Sequence, residues 1–256
     1  MALDLAAYRR TDGWLGASIL YLGQTTSTND LLHRLGEQGA PEGIMALAES
    51  QSNGRGRMQR RWVAPPGTSL LLSLLFRPQD PFLYHAGRTT MLCGLALAEA
   101  VEAVAALPVS LKWPNDLIVE GNGSWRKLAG MLSEIGALED RPAFLVVGIG
   151  LNVNVLPDHL PDLAPNATSL LAELGHPISR SVLLDAFLCR AEALYAQLCA
   201  GWDPLPAWRA HLSWLGERVT LQTPTETLAG LAEDVDDDGG VRSEEHTSEL
   251  QSRITI

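Results

Sequence analysis

Arg55, Arg57, Arg60 and Arg61 crowd into one segment, Gln51-Ser-Asn-Gly-Arg-Gly-Arg-Met-Gln-Arg-Arg-Trp62, of a chain whose formal net charge is −11. Guanidinium groups are planar and permanently charged, and their forked donors match a carboxylate or a phosphate. Gly54 and Gly56 carry no Cβ, so the backbone there can turn tightly and bring N–H groups to a ligand. The segment reads as an anion clamp, and a solvated basic turn stays open as the alternative on these residues alone.

Three other stretches carry groups with chemical potential. Ser110-Leu-Lys-Trp-Pro-Asn-Asp116 runs into the apolar Leu117-Ile-Val119, turns at Gly121-Asn-Gly123 and returns from Lys127 to Glu134, which is a hairpin signal. Such a hairpin brings Asp116 and Lys127 to one site; a surface ion pair is the competing reading. Gln24-Thr-Thr-Ser-Thr-Asn-Asp30 precedes Leu31, Leu32 and Leu35, and predicts a capped helix start. Its hydroxyl and amide groups would also suit a polar, uncharged ligand head, and spacing does not separate the two. Phe144 to Asn154 is a buried strand broken by Gly148 and Gly150, where backbone or ligand approaches closely. The third glycine and following helix of a dinucleotide fingerprint are absent.

The elements that must hold these residues follow from apolar patterning. Residues to about 16 form a short helix or lead-in, and Ser18 to Leu22 a strand. Gly43 to Glu49 is a buried strand that enters the arginine loop; Pro65-Pro66-Gly67 turns the chain into a second one, Ser69 to Phe76. The loop is therefore strung between two core strands. Phe82 to Ala106 is a packing helix closed by Pro108, with His85 and Arg88 expected to be exposed. Leu156 to Pro165 reads as a loop, Thr168-Ser169 caps a short helix, and Ser181 to Cys199 is amphipathic, with Leu183, Leu184, Phe187, Leu188, Leu194 and Leu198 apolar. Trp202, Trp208 and Trp214 pack the helical C-terminal edge of this domain. At Gly216 a small β module begins, with strands at Arg218–Leu221 and 227–233. The acidic turn Asp236-Asp-Asp-Gly-Gly240 should lead into a third strand, and none is predicted there.

Composition narrows the class. The 256 residues, 46% hydrophobic and 19% charged, suit one large domain plus a small one. No apolar run approaches the roughly 20 residues of a membrane span, the N-terminus has no export signal, and the cytoplasm is the expected location. Cys93, Cys189 and Cys199 are expected as core thiols, and the histidines form no metal cluster, so no structural metal is expected. The acidic balance opposes general nucleic-acid binding, including an RNA-binding reading of the Arg/Gly loop.

With Ser27-Thr-Asn29, Gln51, Gly54-Arg-Gly-Arg57, Lys112-Trp-Pro-Asn-Asp116, Arg126-Lys-Leu-Ala-Gly130 and Gly148-Ile-Gly-Leu-Asn152 in this order, the chain resembles the biotin protein ligases from about Tyr21 to Val241. The resemblance implies an α/β (α+β) fold: a mixed β-sheet catalytic domain flanked by helices over residues 1–214, then a truncated small SH3-like β-barrel over 215–241. It implies activation of biotin by ATP with Mg²⁺, release of pyrophosphate, and transfer of biotin to a lysine of the biotin carboxyl carrier protein of acetyl-CoA carboxylase.

Carried over residue by residue, Ser27, Thr28, Asn29 and Gln51 hold the ureido ring. By that resemblance Arg55, Gly56 and Arg57 would close over the carboxylate and adenylate, and Arg57 would retain the intermediate. Lys127 would bridge carboxylate and α-phosphate, and Asp116 would act near Mg²⁺ and the incoming amine. Arg60, Lys112, Asn115 and Asn152 would contact phosphate or nucleotide, Trp62 would line the ATP pocket, and Gly54, Gly130 and Gly148 would be structural.

Where many relatives have glycine this chain has Gln59. Tyr21 lies too near the start for a helix-turn-helix domain, so no DNA partner is expected, nor a membrane; a homodimer is compatible with the resemblance. Residues 242–256, beginning Arg242-Ser-Glu-Glu-His-Thr-Ser, read as the in-frame translation of a sequencing-library adapter, a non-native tail. The competing enzyme reading is a lipoate or octanoyl transferase of the same fold. A truncated biotin-binding protein without turnover is the other.

Overall fold

Ser69–Phe76 (β3) is buried along its whole length in a computed structural model that describes residues 5, 8–78, 87–121, 123–138, 141–222, 227–236 and 239–243. Burial on both sides explains its near-continuous leucines. Leu70, Leu72, Leu74 and Phe76 join the main core, whereas Leu75 joins a smaller cluster with Leu32, Ala46, Phe144 and Val146. Around β3 are Ile19–Leu22 (β1), Met45–Ala48 (β2), Ser110–Lys112 (β4), Asp116–Gly121 (β5), Ser124–Leu138 (β6) and Arg141–Asn152 (β7). The sheet order is β1-β2-β3-β7-β6-β5-β4; β1 and β2 are parallel, and the other neighbours antiparallel.

Helices cover both faces. Thr28–Glu37 (α1) lies over β2, β3, β6 and β7, its start fixed by the Ser27 hydroxyl, which accepts from Asp30 N. Arg88–Ala105 (α2) and Arg180–Cys199 (α5) pack together on the opposite face. Between them in sequence, 156–165 is not a plain loop: it holds the 3₁₀ turn Pro157–His159 and the one-turn helix Leu160–Leu163 (α3). Leu170–Leu174 (α4) is capped by Ser169, as its sequence predicts. Leu205–Ala210 (α6) lies in the helical edge expected there and buries Trp208.

Several expectations are corrected. Arg88 is buried, 2% exposed, and its Nε lies 2.8 Å from Asp203 Oδ1, an ion pair that sequence spacing cannot reveal. Cys93 is a core thiol, but Cys189 and Cys199 are exposed, next to the buried Leu188 and Leu198 on α5. His85 lies outside the described residues.

The small module does have a third strand. Arg218–Gln222 (β8), Thr227–Val235 (β9) and Val241–Ser243 (β10) form an antiparallel sheet in the order β10-β9-β8. A turn closed by Asp236 N→Gly240 O at 2.8 Å feeds β10, so backbone pairing forms the strand where side-chain patterning is weak. Trp113 Nε1 donates to Gly239 O at 2.8 Å, which ties this module to the end of β4.

Candidate active site

One cavity of about 560 Å³ opens on the α1 face of the large sheet, a size suited to a small-molecule ligand. Its floor follows from strand register. Leu71, Gly150, Gly130 and Asp116 form one cross-strand row over β3, β7, β6 and β5, and Ser73, Gly148 and Leu132 form the next. A Cβ on Gly148 would collide with Asn29 Oδ1, and one on Gly150 would stand 2.7 Å from Trp62 Nε1. These glycines are the depth of the site.

At one end lies an uncharged polar group of side chains. Gln51 Oε1 accepts from Thr28 N at 2.8 Å and from Thr28 Oγ1 at 3.2 Å. Ser73 Oγ sits 2.8 Å from Thr28 Oγ1 and 2.6 Å from Asn29 Oδ1. Asn29 Nδ2 donates to Leu132 O (3.1 Å) and Glu134 Oε2 (2.8 Å), so both its hydrogens are committed and its oxygen keeps one lone pair.

The arginine loop, which begins at Gln51, forms an adjoining wall of the same cavity. Gly56 N donates to Arg60 O, Arg60 N to Arg57 O and Trp62 N to Gly54 O, at 2.7, 3.1 and 2.9 Å, which folds the segment back on itself. A Cβ on Gly54 would press on Trp62 O. Arg55 Nη2 is held at 2.6 Å by both Asp30 Oδ1 and Glu134 Oε2. Met58, 58% exposed, takes a left-handed conformation with φ +53° beside Gln59.

Cations converge on the remaining side. Lys127 Nζ lies 2.6 Å from Asp116 Oδ1 and 5.6 Å from the centre of the Trp62 ring. Lys112 Nζ stands 4.5 Å over Trp125. Arg57, Arg60 and Arg61 line the same cavity, and Lys112 and Lys127 are the chain's two lysines. Burial pulls the Lys112 ammonium below the ordinary lysine range; Asp116 opposes that, and Lys127 and Arg60 add to it. Burial likewise lowers Arg57, against the pull of Asp116. Trp62 Nε1 and Asn152 Oδ1 are buried with no hydrogen-bond partner among the described residues, and a polar ligand would satisfy them.

Every predicted site residue except Gly54 lines this cavity; Gly54 is buried within the loop. Asn115 does so with its amide donating to Met131 O. The hairpin brings Asp116 to Lys127 as spacing predicts. Sequence reasoning missed Asp30 and Glu134, which fasten Arg55, along with Trp125 under Lys112 and Thr220 from the small module. The position of Glu134, two strand repeats past Gly130, was a usable signal; that of Thr220 was not.

A deep glycine floor, an uncharged polar end and a cationic wall define a site that holds a polar head and an anion together. Residues 21–152 match the biotin/lipoate A/B protein ligase family and 214–251 the biotin protein ligase C terminal domain, and the chain belongs to that family. It is 34% identical over 228 residues to the bifunctional ligase/repressor BirA of Bacillus spizizenii, covering 88% of this chain and 69% of that one. It is 35% identical to the biotin–[acetyl-CoA-carboxylase] ligase of Mycobacterium tuberculosis, covering 89% and 82%. The biotin protein ligase of Aquifex aeolicus, solved in complex with biotin and ATP, superposes with a TM-score of 0.73 at 27% identity, covering 89% of this chain and 93% of that one.

Proposed function

We propose that this chain is an ATP-dependent biotin–protein ligase. It activates biotin as biotinyl-5′-AMP and passes the acyl group to a lysine of the biotin carboxyl carrier protein. The observation that carries this is the single cavity shared by the Ser27–Thr28–Gln51 end and the Lys127, Arg57 and Arg60 end. A neutral ureido head and two anions are the ligands that such a division accommodates.

The reacting partners repel each other, because a carboxylate oxygen must attack the α-phosphorus as pyrophosphate leaves. Cations already fixed in a partly desolvated site offset that repulsion without reorganising. Lys127 bridges the carboxylate and α-phosphate, and Arg57, Arg60 and Lys112 receive phosphate charge. Trp62 covers the adenylate, with Asn115 and Asn152 beside the nucleotide. Ser27, Thr28 and Gln51 bond the ureido group, and Asn29, locked by Glu134 and Ser73, shapes that end. In the second step the acceptor amine attacks the acyl carbon, AMP departs and the amine loses its proton, with the Asp116 carboxylate nearby.

Among the described residues no group of three His, Cys, Asp or Glu could enclose a metal ion. Mg²⁺ commonly uses one or two carboxylates plus substrate phosphates, so Asp116 fits the role, and the ion would neutralise phosphate charge. The same reading places the reaction in the cytoplasm and allows a homodimer; no helix among the described residues is long and apolar enough to cross a membrane. It also treats 242–256 as a non-native tail.

Biotin-dependent exchange between pyrophosphate and ATP, without acceptor, tests the proposal. Exchange should require biotin, should not be supported by lipoate, and should fall about 100-fold or more in Lys127→Ala. Undiminished exchange in that variant removes the central assignment.

A further inference from the structure

We propose that Glu173 is a positioning residue for the reaction, setting the Lys127 ammonium in place through Arg126 and Thr168. The proposal rests on the role given to Lys127 above. At Lys127 the sheet loses its regular pairing: Leu117 is opposite Ala129 but Ile118 is opposite Lys127, so Leu128 is an extra residue, a β-bulge. Beyond Ala129, β6 has also run past the end of β7. The backbone of Lys127 is instead held by the segment before α4: Lys127 N donates to Asn166 O at 2.7 Å and Thr168 N donates to Lys127 O at 2.8 Å.

Glu173 fastens that segment from behind. Its carboxylate takes a bidentate bond from Arg126 Nε and Nη2, at 2.8 and 2.9 Å, and a further bond from the Thr168 hydroxyl. One side chain thus joins the residue preceding Lys127 to the 166–168 segment flanking it. Asn152 Nδ2 donates to Thr168 O at 2.9 Å, so the same tie reaches a nucleotide-side residue. The ureido end, built from α1 and Gln51, shares none of these bonds.

The experiment compares Glu173→Ala and Glu173→Gln with the parent in pyrophosphate exchange, in biotin binding by calorimetry and in thermal unfolding, and repeats Glu173→Ala in a Lys127→Ala background. In Glu173→Ala the exchange kcat should fall about tenfold with biotin Kd within about twofold, since a misplaced reacting group costs rate more than remote binding. Glu173→Gln, which keeps an acceptor for Arg126, should lie between. On Lys127→Ala the second substitution should add almost nothing, as expected for residues acting through one group. Unchanged kcat, an additive loss, or a parallel fall in kcat, biotin affinity and thermal midpoint would each overturn the proposal. Full exchange in Lys127→Ala alone would instead sink the role of Lys127.

Discussion

Gly150→Ala should disable the nucleotide side of the site while leaving the fold largely intact. Gly150 and Gly130 face each other across β7 and β6, and the Trp62 ring lies on both. An alanine Cβ at 150 would stand 2.7 Å from Trp62 Nε1 and 2.8 Å from Cζ2, with Cε2 nearer still. Carbon atoms meet comfortably at about 3.5 Å or more, so the ring must lift by roughly 0.7 Å at least (3.5 − 2.8). Overpacking of that kind costs about 1–3 kcal/mol. Because Trp62 N is bonded to Gly54 O, the arginine loop must move with the ring. A displacement approaching 1 Å there can cost up to about 100-fold in rate.

Steady-state exchange with ATP varied is the assay. We expect kcat/KM for ATP to fall between about 10- and 100-fold while biotin affinity stays within about threefold. Gly130→Ala should be milder, since its Cβ would sit 3.1 Å from Trp62 Cζ3 and from the flexible end of Lys127. Replacing Trp62 by leucine in the Gly150→Ala protein should recover thermal stability without recovering activity. If Gly150→Ala matched the parent in both ATP kinetics and thermal midpoint, the close approach of ring and floor would be refuted.

Further outcomes follow from the same geometry. Lysine ε-carbon NMR should show two resonances, for Lys112 and Lys127, with Lys112 titrating below the ordinary lysine range and lower still in Asp116→Asn, which removes its largest favourable charge. As a depressed base, Lys112 leaves the unfolded chain binding more protons between its folded and unfolded pKa values, so stability should rise with pH across that window, and Lys112→Met should abolish the rise. An amine-acylating reagent should find side-chain amines only in the cavity; inactivation should map to Lys112 and Lys127 by mass spectrometry, and biotin with ATP should protect. Met58→Val should lower stability by about 1 kcal/mol in urea unfolding, because a β-branched residue resists the left-handed conformation, whereas Met58→Gly should not.

Much of the site was legible because its residues announce themselves by type. Clustered arginines in an acidic chain, hydroxyl and amide groups at a helix start, and alternate glycines in an apolar strand each reflect a local constraint, and the structure sets all three around one cavity. Arg88 was misjudged because its exposure depends on Asp203, which lies 115 positions along the chain. Strand β10 was missed because three residues paired through their backbone leave little side-chain pattern.

The sequence by itself determined most of the strands, the helix caps, the cationic loop and the hairpin that carries Asp116 and Lys127 on adjacent strands, since each is written in neighbouring residues or in a turn. It did not determine which way Lys127 points. Strict alternation would set Lys127 beside Ala129 and Met131 in the core and turn Leu128 toward the cavity. In the structure Leu128, Ala129 and Met131 are all core residues, and Lys127 meets Asp116 above Gly130. The bulge at Leu128 shifts the side-chain alternation by one residue, and a bulge is a property of how two strands are paired. Its register is held by a separate segment, 166–168, brought there by the fold of the whole chain.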